Sequence, residues 1–122
     1  MCDANLNACE AVPWTDTQHA DPLSTLVMMF LHGRSRGVWY DTLRIGRAAL
    51  EQLLKCERVK QHAAAAHVDV GDDAKKLEAL LWWRMPPTKE ALAFRVAVAP
   101  IDGMVGWGIG NFIVSELVGA MA

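Results

Sequence analysis

The sequence predicts an all-α fold, a compact orthogonal bundle of about five helices in a single domain. Three observations lead there. Residues 38–67 (VWYDTLRIGRAALEQLLKCERVKQHAAAAH) put Leu43, Gly46, Ala49, Leu50, Leu53, Leu54 and Cys56 on one side of a helix and Arg44, Arg47, Glu51, Lys55 and Arg58 on the other, given a turn of about 100° per residue. Two further segments, 22–32 and 104–120, are apolar nearly all round, as helices buried on several sides are. Gly33, Gly71, Pro86-Pro87 and Pro100 fall between the apolar segments, where helices should stop.

Residues 1–20 show no sustained period and read as an acidic, mostly irregular arm in which Val12 and Trp14 can anchor onto the body, which spans 21–122. Asp21-Pro22 then gives a helix start: the carboxylate can accept from free amides, and proline at the first helical position has no amide to satisfy. That helix should run from 22 to about 32, with Leu23, Leu26, Val27, Phe30 and Leu31 on the i, i+3, i+4 pattern, Met28 and Met29 broadening the apolar surface beyond one stripe, and Gly33 as its stop. The long helix 38–67 follows. Asp72 or Asp73 can cap a shorter helix over 74–84, whose Leu77, Leu80 and Leu81 face inward. Thr88 can cap another over 88–99. There the segment 91–99 (ALAFRVAVA) alternates like a strand yet also repeats like a helix. Helix is preferred, since a lone strand has no partner. The last helix, about 104–120, contains Gly106 and Gly110, four apart, a spacing that lets another helix approach closely.

At 122 residues, 52% of them apolar and five of them tryptophan, the chain has the length of one domain and a surplus of apolar surface. Such a surplus points to a protein partner or to a second copy of the chain. The net charge of −2 is unevenly spread: residues 1–22 carry four acids and no base, and residues 34–60 carry seven bases against three acids. The acidic arm is therefore expected near the basic side of the long helix.

Cys2, Cys9 and Cys56 are odd in number and irregular in spacing, which reads as free thiols in a reducing, cytoplasmic setting. Residues 1–20 have neither the basic start nor the apolar run of a secretory leader. The run 103–115 falls short of the about 20 residues a bilayer span requires, so no membrane role is expected. His62 and His67, five apart, point roughly 140° from each other on a helix and make no metal site. Gly106-Trp107-Gly108 lacks the strand–turn–helix context of a dinucleotide loop. No catalytic residue, cofactor or metal is assigned.

Candidate partner-binding residues fall in three groups. Arg34 and Arg36, in the connection HGRSRG, offer planar forks for carboxylate or phosphate next to an expected helix start. Arg44, Arg47, Lys55 and Arg58 lie within about 80° of one another in helical projection and could extend that site. Trp39, Tyr40, Trp82 and Trp83 are the aromatic anchors. The leading expectation is a small non-enzymatic interaction protein: an adaptor, a helical subunit of a larger assembly, or a host- or phage-encoded inhibitor that docks on a protein complex. Alternatives are nucleic-acid contact through the basic residues 34–58, and small-molecule binding in an apolar cavity.

Overall fold

The computed structural model describes residues 13–67, 72–84 and 94–117. It corrects the expected all-α bundle to an α/β fold. Among the described residues are four helices, α1 (Pro22–Ser35), α2 (Arg47–Lys55), α3 (Glu57–Ala66) and α4 (Asp73–Arg84), and four strands, β1 (Thr42–Gly46), β2 (Arg95–Ala99), β3 (Val105–Ile109) and β4 (Phe112–Glu116). The sheet order is β2-β1-β3-β4, with β2 parallel to β1, β3 antiparallel to β1, and β4 antiparallel to β3. Helices α2, α3 and α4 form the crossover between the two parallel strands.

The expected helix over 38–67 is three elements. Residues 42–46 are β1, and Gly46 is where the chain must change course: a Cβ there would fall on the backbone of Ile101 and Asp102. The Gly46 amide donates to the Met104 carbonyl (2.7 Å), and the Ala49 amide, in the first turn of α2, donates to the Asp102 carbonyl (3.0 Å). The β2–β3 connection thus satisfies an amide that a helix start leaves open. Helix α2 buries Ala49, Leu50 and Leu53, part of the face read from the sequence. It stops at Cys56, which is extended (φ −69°, ψ 136°), and the Glu57 amide that opens α3 donates to the Thr17 carbonyl (2.9 Å).

Within the described residues, the two expected carboxy-terminal helices are also replaced by strands. Residues 95–99 pair with β1 from Thr42↔Arg95 to Gly46↔Ala99, so the partner that a lone strand seemed to lack is β1. The earlier part of the expected 88–99 helix, residues 88–93, lies outside the described residues. Residues 105–116 form a hairpin turning at Gly110, whose φ of +58° suits glycine. A Cβ at Gly108 would meet the Phe112 carbonyl. Gly106 and Gly110 are therefore a strand and a turn position, not one side of a helix.

Other readings hold. Asp21 caps α1, accepting from the Ser24 amide (3.4 Å), with Pro22 first in the helix. Asp72 Oδ1 accepts from the Ala74 and Lys75 amides (2.8 and 3.2 Å), and Leu77, Leu80 and Leu81 are buried. Gly33 does not stop α1, which continues to Ser35. Its missing side chain instead makes room for the Tyr40 ring. Trp14 anchors as expected, wholly buried, while Val12 lies outside the described residues.

One face of the sheet carries Leu43, Ile45, Val105 and Trp107, all fully buried in a core shared with Leu23 and Leu26 of α1, Leu50 and Leu53 of α2, and Leu77, Leu80 and Leu81 of α4. Trp107 is central to it. Its Nε1 donates to the Leu26 carbonyl (3.0 Å), and its ring centroid lies 4.9 Å from that of Phe30, 5.2 Å from Phe94 and 6.0 Å from Tyr40. Alternation along the strands puts Arg44, Gly106 and Glu116, which are in register across β1, β3 and β4, on the opposite face.

Candidate functional site

The basic stripe expected from helical projection does not form, because its members stand on different elements. Arg44 is in β1. Its Nη2 donates to the Gly110 carbonyl (2.8 Å) and to Asn111 Oδ1 (3.4 Å), which ties it to the β3–β4 turn. Arg47 opens α2 beside a cleft of about 360 Å³ that Asp72 and Asp73 also line. Lys55 ends α2, exposed. Arg58, in α3, forms an ion pair with Asp21, the residue that caps α1 (3.7 Å). Four cations spread over a strand and two helices give no continuous track for a phosphate backbone.

Arg34 and Trp39, by contrast, are brought together. Arg34 lies in the last turn of α1, not in a loop before a helix, and the chain that follows leads into a strand. The helix start expected to favour anions after Arg36 is therefore absent. The Arg34 guanidinium sits 4.7 Å from the centroid of the Trp39 ring and 6.0 Å from that of Phe30, within cation–π range. Trp39 is 45% exposed, and Leu31 and Met28, one and two helical steps of three before Arg34, are 44% and 57% exposed. Residues three apart are neighbours on a helix surface, so Met28, Leu31 and Arg34 form a ridge that ends at Trp39. Arg36 is exposed at the end of α1. Tyr40 belongs to the core instead, at 6% exposure.

Trp82 and Trp83 diverge. Trp82 Nε1 donates to the Phe94 carbonyl (2.9 Å), joining α4 to the start of β2. Trp83 is 51% exposed and its ring lies 6.3 Å from His62, whose Nε2 is 3.4 Å from Arg84 Nη1. A cleft of about 440 Å³ opens between Trp82, Phe94, Asp41, Thr42 and Glu78. Both carboxylates in it are engaged: Asp41 Oδ1 accepts from Thr42 Oγ1 (2.8 Å) and the Gly110 amide (3.0 Å), and Glu78 accepts from the Val96 amide through Oε1 (3.1 Å) and pairs with Lys75 through Oε2 (3.7 Å).

Cys56 is fully buried, its thiol directed at the Trp14 carbonyl (3.4 Å). Burial pushes its pKa up, and the carboxylates of Asp16 and Asp21 add to the shift while Lys60 opposes it. Its surroundings are those of a thiol that fills core space. Among the described residues no three His, Cys, Asp or Glu side chains gather as metal ligands, and no helix is long and apolar enough to cross a membrane.

Sequence reasoning missed one surface, the outer edge of β4, where Phe112 is 77% and Val114 49% exposed. A signal was present in Gly110-Asn111 between two short apolar runs, a pairing that marks hairpin turns. No protein-family model, curated protein or solved structure matches this chain, so its surfaces are read from their own chemistry.

Proposed function

We propose that this chain is a protein–protein interaction module that docks through the ridge formed by Met28, Leu31, Arg34 and Trp39. The observation that carries the reading is the half-exposed Trp39 ring with the Arg34 guanidinium stacked at 4.7 Å. Tryptophan and arginine dominate the residues that anchor protein interfaces, and here the pair extends an exposed apolar ridge. The expected partner presents an apolar contact with acidic residues around it. Between Asp21 and Asp41 the chain has no acid, whereas Arg34 and Arg36 stand at or beside the ridge, and such complementarity steers encounter and sets register.

Nucleic-acid contact is the weaker reading, because the cations it requires are dispersed and Arg44 and Arg58 are held by Gly110 and Asp21. Affinity capture from native cells with the full chain and its variants tests the proposal. Trp39→Ala and Leu31→Asp should abolish recovery of a stoichiometric protein partner, and Lys55→Ala should leave it intact. Equal recovery by all variants, or recovery of nucleic acid that Trp39→Ala does not reduce, would overturn it.

A further inference from the structure

Asp41 and Arg95 stand side by side at the start of the parallel pair β1 and β2. The Arg95 amide donates to the Asp41 carbonyl (3.0 Å), and both residues line the cleft of about 440 Å³ that Trp82 and Phe94 also line. Their opposite charges nevertheless form no ion pair with each other or, among the described residues, with any other group. The second carboxylate of the cleft is satisfied, because Glu78 takes the Val96 amide and Lys75. The cleft therefore offers one open anion and one open cation beside an indole.

These parts are held in place. Asp41 Oδ1 is oriented by the Thr42 hydroxyl (2.8 Å) and the Gly110 amide (3.0 Å), while Oδ2 accepts from no described residue. Trp82 is fixed by the bond that its Nε1 donates to the Phe94 carbonyl (2.9 Å), and its ring, 37% exposed, stands edge-on to Phe94 with centroids 6.3 Å apart. A few fixed polar groups beside aromatic walls, in a volume of about 440 Å³, are what small-ligand clefts present.

We infer that this cleft binds a free α-amino acid with an apolar or aromatic side chain. A carboxylate with an unused oxygen suits an ammonium group, and the contact is charge-assisted. The Arg95 guanidinium is a planar fork that can hold a carboxylate through two parallel hydrogen bonds. In an α-amino acid the two charged groups flank a single carbon, so one molecule bridges neighbouring positions of adjacent strands and leaves its side chain for the Trp82 ring. A simple amine would set its charge beside that of Arg95, and a simple carboxylate would set its charge beside that of Asp41. The two signs together select the zwitterion.

This cleft contains none of Met28, Leu31, Arg34 or Trp39, so it stands or falls apart from the proposed function. Calorimetric titration of the full chain with L-phenylalanine, L-leucine and L-tryptophan tests it, beside phenethylamine, which lacks the carboxylate, and phenylpropionate, which lacks the ammonium. At least one of the three amino acids should bind saturably, and for L-phenylalanine each fragment should bind more weakly by about tenfold or more, the loss of one charge-assisted contact. Arg95→Gln should lower the affinity for the amino acid toward that of phenethylamine, Asp41→Asn should lower it toward that of phenylpropionate, and Trp39→Ala should leave it unchanged. Absence of saturable binding by all three, affinity indifferent to both Arg95→Gln and Asp41→Asn, or glycine binding as tightly as the best of the three would overturn the inference. Amide spectra of the wild-type chain need no variant to fold: signals of Arg95, Gly110 and the Trp82 indole should shift as the amino acid is added, and shifts confined to other residues would overturn the site.

Discussion

Trp107 and Trp39 are the same residue in opposite circumstances. Trp107 is wholly buried, gives its indole hydrogen to the Leu26 carbonyl and packs against Phe30, Tyr40 and Phe94. It binds the sheet to α1. Trp39, 45% exposed, turns its ring to the Arg34 guanidinium and to solvent. The contrast extends to the others: Trp14 is buried like Trp107, while Trp82 and Trp83 stand at the surface. Large aromatic area therefore does two jobs in this molecule. Buried, it holds two layers together. Exposed beside a cation, as at Trp39, it is the surface that the proposed docking would use.

Substitutions can break that contrast, beginning with the core. Trp107→Ala should cost about 3–5 kcal/mol, the usual range for removing a large aromatic side chain from a packed interior, measured as the shift in a chemical-denaturation midpoint. Trp39→Ala should leave stability within about 0.5 kcal/mol, as surface changes do, yet weaken partner binding by about 2 kcal/mol or more. Calorimetric titration against the captured partner reads that loss. Trp82→Phe keeps most of the ring but leaves the Phe94 carbonyl without its donor, at about 1 kcal/mol of stability, again by denaturation. Trp83→Ala should change both stability and binding by no more than about 0.5 kcal/mol, and a larger effect on binding would move the docking surface to α4.

The sequence could not divide its tryptophans in this way, and the reason is the same one that hid the sheet. Helix starts were legible because they are local: Asp21-Pro22 and Asp72 each act on amides two or three residues away. So was the inward face of α4, and so was the burial of Cys56. Strand β1 was not, because Leu43 falls in helical phase with Leu50, Leu53 and Leu54, and the boundary at Gly46 is set by the distant backbone of Ile101 and Asp102. Strands β1 and β2 are joined across α2, α3 and α4, and only that pairing decides the ambiguous alternation of Phe94, Val96 and Val98. The run after Met104 is so uniformly apolar that its period was masked. Its glycines at 106, 108 and 110 nevertheless repeat every two residues, a strand period that the four-residue spacing of Gly106 and Gly110 disguises as helix packing.

Of the candidate surface, Arg34 and Trp39 were both visible as residue types suited to an interface, but their meeting was not. The α1 helix runs two residues past Gly33, and that extension carries Arg34 onto the Trp39 ring. The stripe of Arg44, Arg47, Lys55 and Arg58 was an artefact of projecting a strand, a helix and a second helix onto one axis.

The most direct measurement places a photo-crosslinking amino acid at position 39 in one sample and at position 83 in another, and irradiates both in native cells. Position 39 should yield one dominant protein adduct, competed away by an excess of unmodified chain but not by its Arg34→Glu variant, and position 83 should yield none. The same adducts from both positions, or none from position 39, would contradict the assignment of the Arg34–Trp39 ridge as the docking surface.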